Sequence, residues 1–76
     1  MKDLIDYIAQ NLVDLPEEVE VSELGDDEAS VIKLKVAEDD LGKVIGKKGR
    51  TAKAMRTILA AAAMRVRRRT TLEIIE

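Results

Sequence analysis

The run Asp40-Leu-Gly-Lys-Val-Ile-Gly-Lys-Lys-Gly-Arg-Thr-Ala-Lys-Ala-Met-Arg56 brackets two lysines, Lys47 and Lys48, between Gly46 and Gly49. Leu41, Val44 and Ile45 supply the apolar side of a brief helix over 40–45. Asp39 or Asp40 is the expected N-cap, because a short carboxylate accepts the free amides of a first turn. Gly46 ends that helix. A longer one starts near Gly49 or Arg50 and runs to about Arg67, with Ala52, Met55, Leu59, Ala62 and Val66 as its inner stripe and Ile58 at the edge. Glycine has no Cβ, so the backbone between the two helices turns tightly and comes close to a ligand. The start of the second helix presents unpaired amides and the positive end of a dipole. Lys47 and Lys48 add charge at the loop tip, and Arg50 and Lys53 extend it along the next turn. A phosphodiester backbone fits this arrangement. Two glycines three apart also occur at ordinary helix-turn-helix corners, so the reading rests on the loop's place between helices and on its two lysines.

Toward the N-terminus, Leu4, Ile5, Ile8 and Leu12 follow helical spacing, which predicts an amphipathic helix over 2–14. Pro16 disfavours helical geometry at Leu15 and stops it. Val19 and Val21 alternate with Glu18, Glu20 and Ser22, giving a first strand over 17–24. Gly25-Asp26-Asp27 supplies turn chemistry, and a second strand over 30–37 points Ile32, Leu34 and Val36 one way and Lys33 and Lys35 the other. The short polar loop predicts an antiparallel hairpin, with Glu18, Glu20 and Ser22 facing the two lysines across the open side. Residues 70–76 read as a last strand, with Leu72 and Ile74 on one face. Two helices lie between the second and last strands, and such a crossover permits parallel pairing. The expected fold is therefore α+β, in the order α-β-β-α-α-β, with a three-stranded mixed sheet covered by helices on one face.

The 76 residues make one domain, too small for a deep pocket with its own supporting shell. There is no Cys and no His, which removes disulfides, thiolate nucleophiles, imidazole bases and the commonest metal ligands. No nucleophile–base pair is apparent, so neither an enzyme nor a cofactor or small-molecule substrate is indicated. No apolar run nears the roughly 20 residues that span a membrane, and Met1-Lys2-Asp3 lacks a signal-peptide layout. A cytoplasmic setting is the default. The net charge of −2 conceals an asymmetry: residues 1–40 carry 13 acidic and 3 basic side chains, a net of −10, while residues 41–76 carry 10 basic and 2 acidic, a net of +8. The basic half suits nucleic acid or an acidic partner, unless its cations pair with the acidic half.

Val44-Ile-Gly-Lys-Lys-Gly-Arg50 resembles the signature of KH domains, whose G-x-x-G loop clamps the backbone of about four nucleotides. The element order matches the type II, bacterial form. The likeness is closer still to the small stand-alone bacterial KH proteins of the KhpA type, through Leu41-Gly-Lys-Val-Ile-Gly-Lys-Lys-Gly-Arg-Thr-Ala-Lys-Ala54. It covers essentially the whole chain, a single KH domain over 1–76. The resemblance implies that Gly46, Lys47, Lys48 and Gly49 hold phosphates of single-stranded RNA. It implies that Val44, Ile45, Thr51 and Ala52 line a shallow groove for bases, although Ile45 reads equally well as core. Lys33 or Lys35 stands as a further contact. It also implies self-association, or pairing with a larger KH protein of the KhpB (Jag-like) type, in post-transcriptional regulation or RNA chaperoning, with links to envelope growth and division. Ala60–Ala63 is a small-residue patch suited either to such an interface or to packing on the sheet.

Tyr7 is the only aromatic and lies in the first helix, so no stacking platform adjoins the loop. Binding is then expected to be mostly electrostatic, weakly selective and salt-sensitive. Arg65, Arg67, Arg68 and Arg69 form a second basic cluster. It is read as a favourable helix C-terminus, an extended RNA path or a contact for an acidic partner. Two other functions compete with RNA binding. One is a protein-interaction module acting mainly as a dimerisation partner, against which the intact Lys47-Lys48 pair speaks. The other is a DNA-binding helix-turn-helix, whose recognition helix this inter-helix loop does not suit.

Overall fold

The computed structural model describes all of residues 1–76. Its elements are α1 (Lys2–Leu12), β1 (Glu20–Gly25), β2 (Ala29–Lys35), α2 (Leu41–Ile45), α3 (Arg50–Arg65) and β3 (Arg69–Ile74), with 3₁₀ turns at Pro16–Glu18, Glu38–Asp40 and Lys47–Gly49. The sheet order is β1-β2-β3, β1 antiparallel and β3 parallel to the central β2. This is the expected α+β arrangement with a mixed sheet.

The core lies between one sheet face and the helices. Ile32 and Leu34 of β2 and Leu72 of β3 meet Ile5 and Ala9 of α1, Val44 of α2, and Met55 and Leu59 of α3. The opposite parity on β2 carries Lys33 and Lys35, as the alternation predicts. In the hairpin register Glu20 lies across from Lys35 and Ser22 from Lys33. The Glu20–Lys35 ion pair is 4.0 Å long and solvated, so it contributes little.

Several boundaries move. α1 stops at Leu12, two residues short of the expected end, and Ala9 rather than Leu12 joins Ile5 in the core. β1 begins at Glu20 because Pro16 opens a 3₁₀ turn in which Glu18 N–H donates to the Leu15 carbonyl. Glu18 is therefore outside the ladder and forms no ion pair with either lysine. The buried stripe of α3 is Ala52, Met55, Leu59 and Ala63, so Ala63 takes the place expected for Ala62. Val66, expected in that stripe, caps the helix in non-helical geometry and is 56% exposed. Of the Ala60–Ala63 patch, only Ala63 is fully buried, and Ala62 is half-buried.

Asp40 departs furthest from expectation. It precedes α2, but its side chain makes no capping bond there. The carboxylate is 2% exposed and turns back to the exit of α1, where Oδ1 accepts the Asp14 N–H at 3.2 Å and Oδ2 the Leu15 N–H at 3.0 Å. Lys43 adds its ammonium 3.7 Å from Asp40 Oδ1 and 3.0 Å from Asp14 Oδ2. The hydrogen bond to Asp14 and its adjacent charge raise the Lys43 ammonium above its ordinary value, with Asp40 adding to the effect.

At the hairpin turn, Asp26 Oδ1 accepts the Glu28 and Ala29 amides at 2.9 and 3.0 Å. The Ala29 bond foremost, then the Glu28 bond, hold the Asp26 carboxyl below its ordinary value, and Arg68 adds a smaller pull.

Two predictions follow from these carboxylates. Asp40→Ala leaves two amides without their charged acceptor and is expected to cost about 3 kcal/mol, lowering the melting temperature by about 10 °C or more. Asp40→Asn keeps one acceptor and is expected to fall between that variant and wild type in thermal melts; equal loss in both would refute the paired-acceptor account. For Asp26, a folded-state value depressed below 3.8 means stability that is present above that pH and lost as pH falls through the lower value. The melting-temperature gap between wild type and Asp26→Asn is thus expected to be widest near neutrality and to close in acid. A gap that persists unchanged in acid contradicts this.

Candidate nucleic-acid interface

The loop between α2 and α3 is built from left-handed backbone. Gly46 has φ 78°, Lys48 φ 57° and Gly49 φ 73°. The Gly46 N–H donates to the Gly42 carbonyl at 2.8 Å, closing α2, and the Gly49 N–H donates to the Gly46 carbonyl at 3.1 Å, closing the loop on itself. The two glycines are required for different reasons. A Cβ on Gly46 would overlap the Thr51 hydroxyl and stand 2.7 Å from Thr51 Cβ and 2.8 Å from its backbone nitrogen. A Cβ on Gly49 would meet open space, so there the left-handed φ alone favours glycine.

The candidate residues divide by depth. Lys47, Lys48, Arg50 and Lys53 are exposed, and Gly46, Gly49, Ile45 and Thr51 are half-buried around the loop. Val44 and Ala52 are buried, so in this structure they support the loop from beneath. No side chain caps the N-terminus of α3, although the Arg50 amide already donates to the Lys47 carbonyl of the loop's 3₁₀ turn. One turn on, Arg50, Lys53, Ala54, Thr57 and Ile58 line a shallow open depression. Lys33 and Lys35 lie on the uncovered sheet face, on a different element from the loop.

Charge pairing does not neutralise the basic half. Of its 10 cations only Lys43 and Arg68 form ion pairs, which leaves 8 without one. Lys47, Lys48, Arg50 and Lys53 are among the 8. Arg56 is held differently, its Nε donating to the Leu72 carbonyl at 3.4 Å. No group of three or more His, Cys, Asp or Glu is placed to hold a metal ion, and no helix is long and apolar enough to cross a membrane.

Sequence reading missed two features here. The role of Asp40 is one; its acidic neighbours gave no sign that the amides it accepts lie 25 and 26 residues away. The other is the left-handed backbone of Lys48, because lysine is not among the residue types that signal such a φ.

The family model described as KhpA/KhpB, KH domain, matches residues 2–74. The chain is similar to the RNA-binding protein KhpA of Clostridium acetobutylicum, 52% identical over 99% of this chain and 100% of that one. It is 53% identical to RNA-binding protein KhpA of Halalkalibacterium halodurans over the full length of both. To RNA-binding protein KhpA of Chlamydia caviae it is 49% identical, over 100% of this chain and 97% of the relative. No solved structure matches at a significant level. The chain belongs to the KhpA/KhpB family of KH domains, and its three helices on a three-stranded mixed sheet are the type II form of that fold.

Proposed function

We propose that residues 1–76 act as one KH domain that binds single-stranded RNA by its backbone, with Gly46, Lys47, Lys48 and Gly49 as the clamp. The observation that carries this is the loop itself: a left-handed turn with two exposed lysines at its tip, set against the uncapped N-terminus of a helix that contains no acidic residue. Arg50 and Lys53 extend the phosphate contact, and Ile45 and Thr51, resting on Val44 and Ala52, offer the shallow surface on which bases lie. The relatives' description as RNA-binding proteins supports the reading. With Tyr7 on α1 as the only aromatic, base stacking contributes nothing at the loop, and selectivity is low.

A single clamp of this kind gives modest affinity. The working unit is a homodimer or a pair with a larger KhpB-type KH protein, which raises avidity without any new contact to RNA. The setting that follows is cytoplasmic, in post-transcriptional regulation or RNA chaperoning.

Retention of a mixed single-stranded RNA pool on filters tests the clamp. Lys47→Asp with Lys48→Asp is expected to lose at least tenfold in affinity at low salt while circular dichroism stays unchanged; equal retention would sink the assignment. Gly46→Ala forces the new methyl group into Thr51 and is expected to lower both RNA retention and thermal stability. Gly49→Ala has room for its methyl and is expected to do less on both counts, and the reverse ranking would refute the steric account.

A further inference from the structure

We infer that the RNA strand gripped at the loop runs on alongside α3 to a second phosphate-binding point made by Arg65, Arg67 and Arg69. This inference rests on the RNA-binding reading above. Its starting point is the backbone at the far end of α3. Beyond the C-cap Val66, the Arg67 N–H donates to the Met64 carbonyl at 3.1 Å and the Arg68 N–H to the Ala63 carbonyl at 2.9 Å. Those two bonds are the Schellman closure, in which the residue after the cap adopts left-handed geometry and is usually glycine. Here it is Arg67, with φ 56°. The chain has two non-glycine residues with positive φ, Lys48 and Arg67. Both are cations, and they sit just beyond opposite ends of α3.

A helix C-terminus attracts cations through its dipole and its unpaired carbonyls, which offers a purely structural reason for arginines there. The observed contacts assign that work elsewhere. The Schellman bonds already satisfy the Ala63 and Met64 carbonyls. Arg68 is the arginine that turns inward, its Nη2 donating to the Asp26 carbonyl at 3.0 Å and to Glu23 Oε2 at 3.4 Å. Glu23 in turn accepts the Ser30 hydroxyl at 2.9 Å, so Arg68 fastens the end of α3 to the hairpin. Arg65, Arg67 and Arg69 are exposed and make no hydrogen bond or ion pair through their side chains. A strained cation with no protein partner, where glycine would relieve the strain, points to a ligand outside the chain.

The spacing suits the same strand. The 16 residues of α3 span about 24 Å, and Lys53 stands along the way. No acidic side chain interrupts α3, so the negative backbone meets no repulsion from the helix itself. Arginine's planar fork matches phosphate oxygens, and three exposed forks at the helix end supply a second anchor without reading sequence.

The experiment is the salt dependence of binding to a 15-nucleotide single-stranded RNA and to a 4-nucleotide one. It compares wild type, Lys47→Asp with Lys48→Asp, and Arg65→Gln with Arg67→Gly and Arg69→Gln, leaving Arg68 in place. On the long RNA the arginine variant is expected to show a log–log slope less steep by about 2, three contacts at about 0.7 each. On the short RNA it is expected to match wild type. The single variant Arg67→Gly separates function from structure: it is expected to melt about 4 °C higher and yet bind the long RNA more weakly. An arginine variant whose slope equals that of wild type on the long RNA, while the lysine variant loses binding, overturns this inference and leaves the clamp standing. No binding by wild type overturns both. Unchanged RNA slopes with altered sedimentation of the arginine variant would assign the cluster to the acidic half of a second copy, and so overturn the RNA path.

Discussion

Asp40 is a charge almost wholly out of water, and such a charge is tolerated only where its hydrogen bonds are complete. Each of its oxygens accepts one backbone amide from the residues that leave α1, and Lys43 stands beside it from the next turn of α2. The chain around it has little other reason to hold that shape. Val13 is extended, and Asp14 and Leu15 belong to no regular element. The carboxylate therefore joins the N-terminal helix to the helix that delivers the glycine loop. Val44, four residues further on, enters the same core as Ile5. The position of Gly46 relative to the sheet follows from those two attachments, one polar and one apolar. A capping role at α2 would have satisfied only local amides. The bond actually made is long-range, and it fixes where α2 starts.

The acidic half and the basic half of the sequence are thus stitched together at a few points, Asp14–Lys43, Asp40–Lys43 and Glu23–Arg68. These contacts serve architecture. They consume two cations and leave the loop and both ends of α3 electropositive. Pairing throughout would have given a neutral surface and a stabler compact state, since self-repulsion of like charges opposes folding. No ion pair joins the α3 cations to the acids of α1, Asp3 and Asp6.

How much of this the sequence discloses depends on whether the governing force is local. Alternation in β2 and helical spacing in α1 and α3 report which face meets the core, because burial of apolar area dominates and has a fixed period. The mixed sheet was legible for the same reason, since two helices between β2 and β3 leave room for a parallel return. The end of α3 was not. The expected stripe ran on through Val66, yet the Schellman bonds at Ala63 and Met64 turn the chain before that side chain reaches the core. Asp40 was misread because a local cap and a distant acceptor look alike in sequence. Gly46 and Gly49 announced the candidate site, but the depth of its parts did not follow from residue type. Thr51 and Ala52 are neighbours, one half-buried at the loop and the other in the core.

α3 makes the loop more than a flexible basic hairpin. Its buried stripe of Ala52, Met55, Leu59 and Ala63 sets one side of the helix against the core along nearly its whole length. Arg56 holds a further side to the free edge of β3 through the Leu72 carbonyl. A rod fastened at so many points keeps its two ends at a set distance, and groups fixed in place before binding lose less freedom when a ligand arrives. Lys48 and Arg67 extend that logic to the backbone. A left-handed residue bearing a side chain costs roughly 1 kcal/mol or more, which a glycine would avoid. At each end of the rod the backbone bonds that close the turn tolerate a cation in that geometry. The fold thereby holds positive charge at two defined points about one helix length apart, on a surface with no aromatic platform for bases, the arrangement on which the proposed backbone-led binding rests.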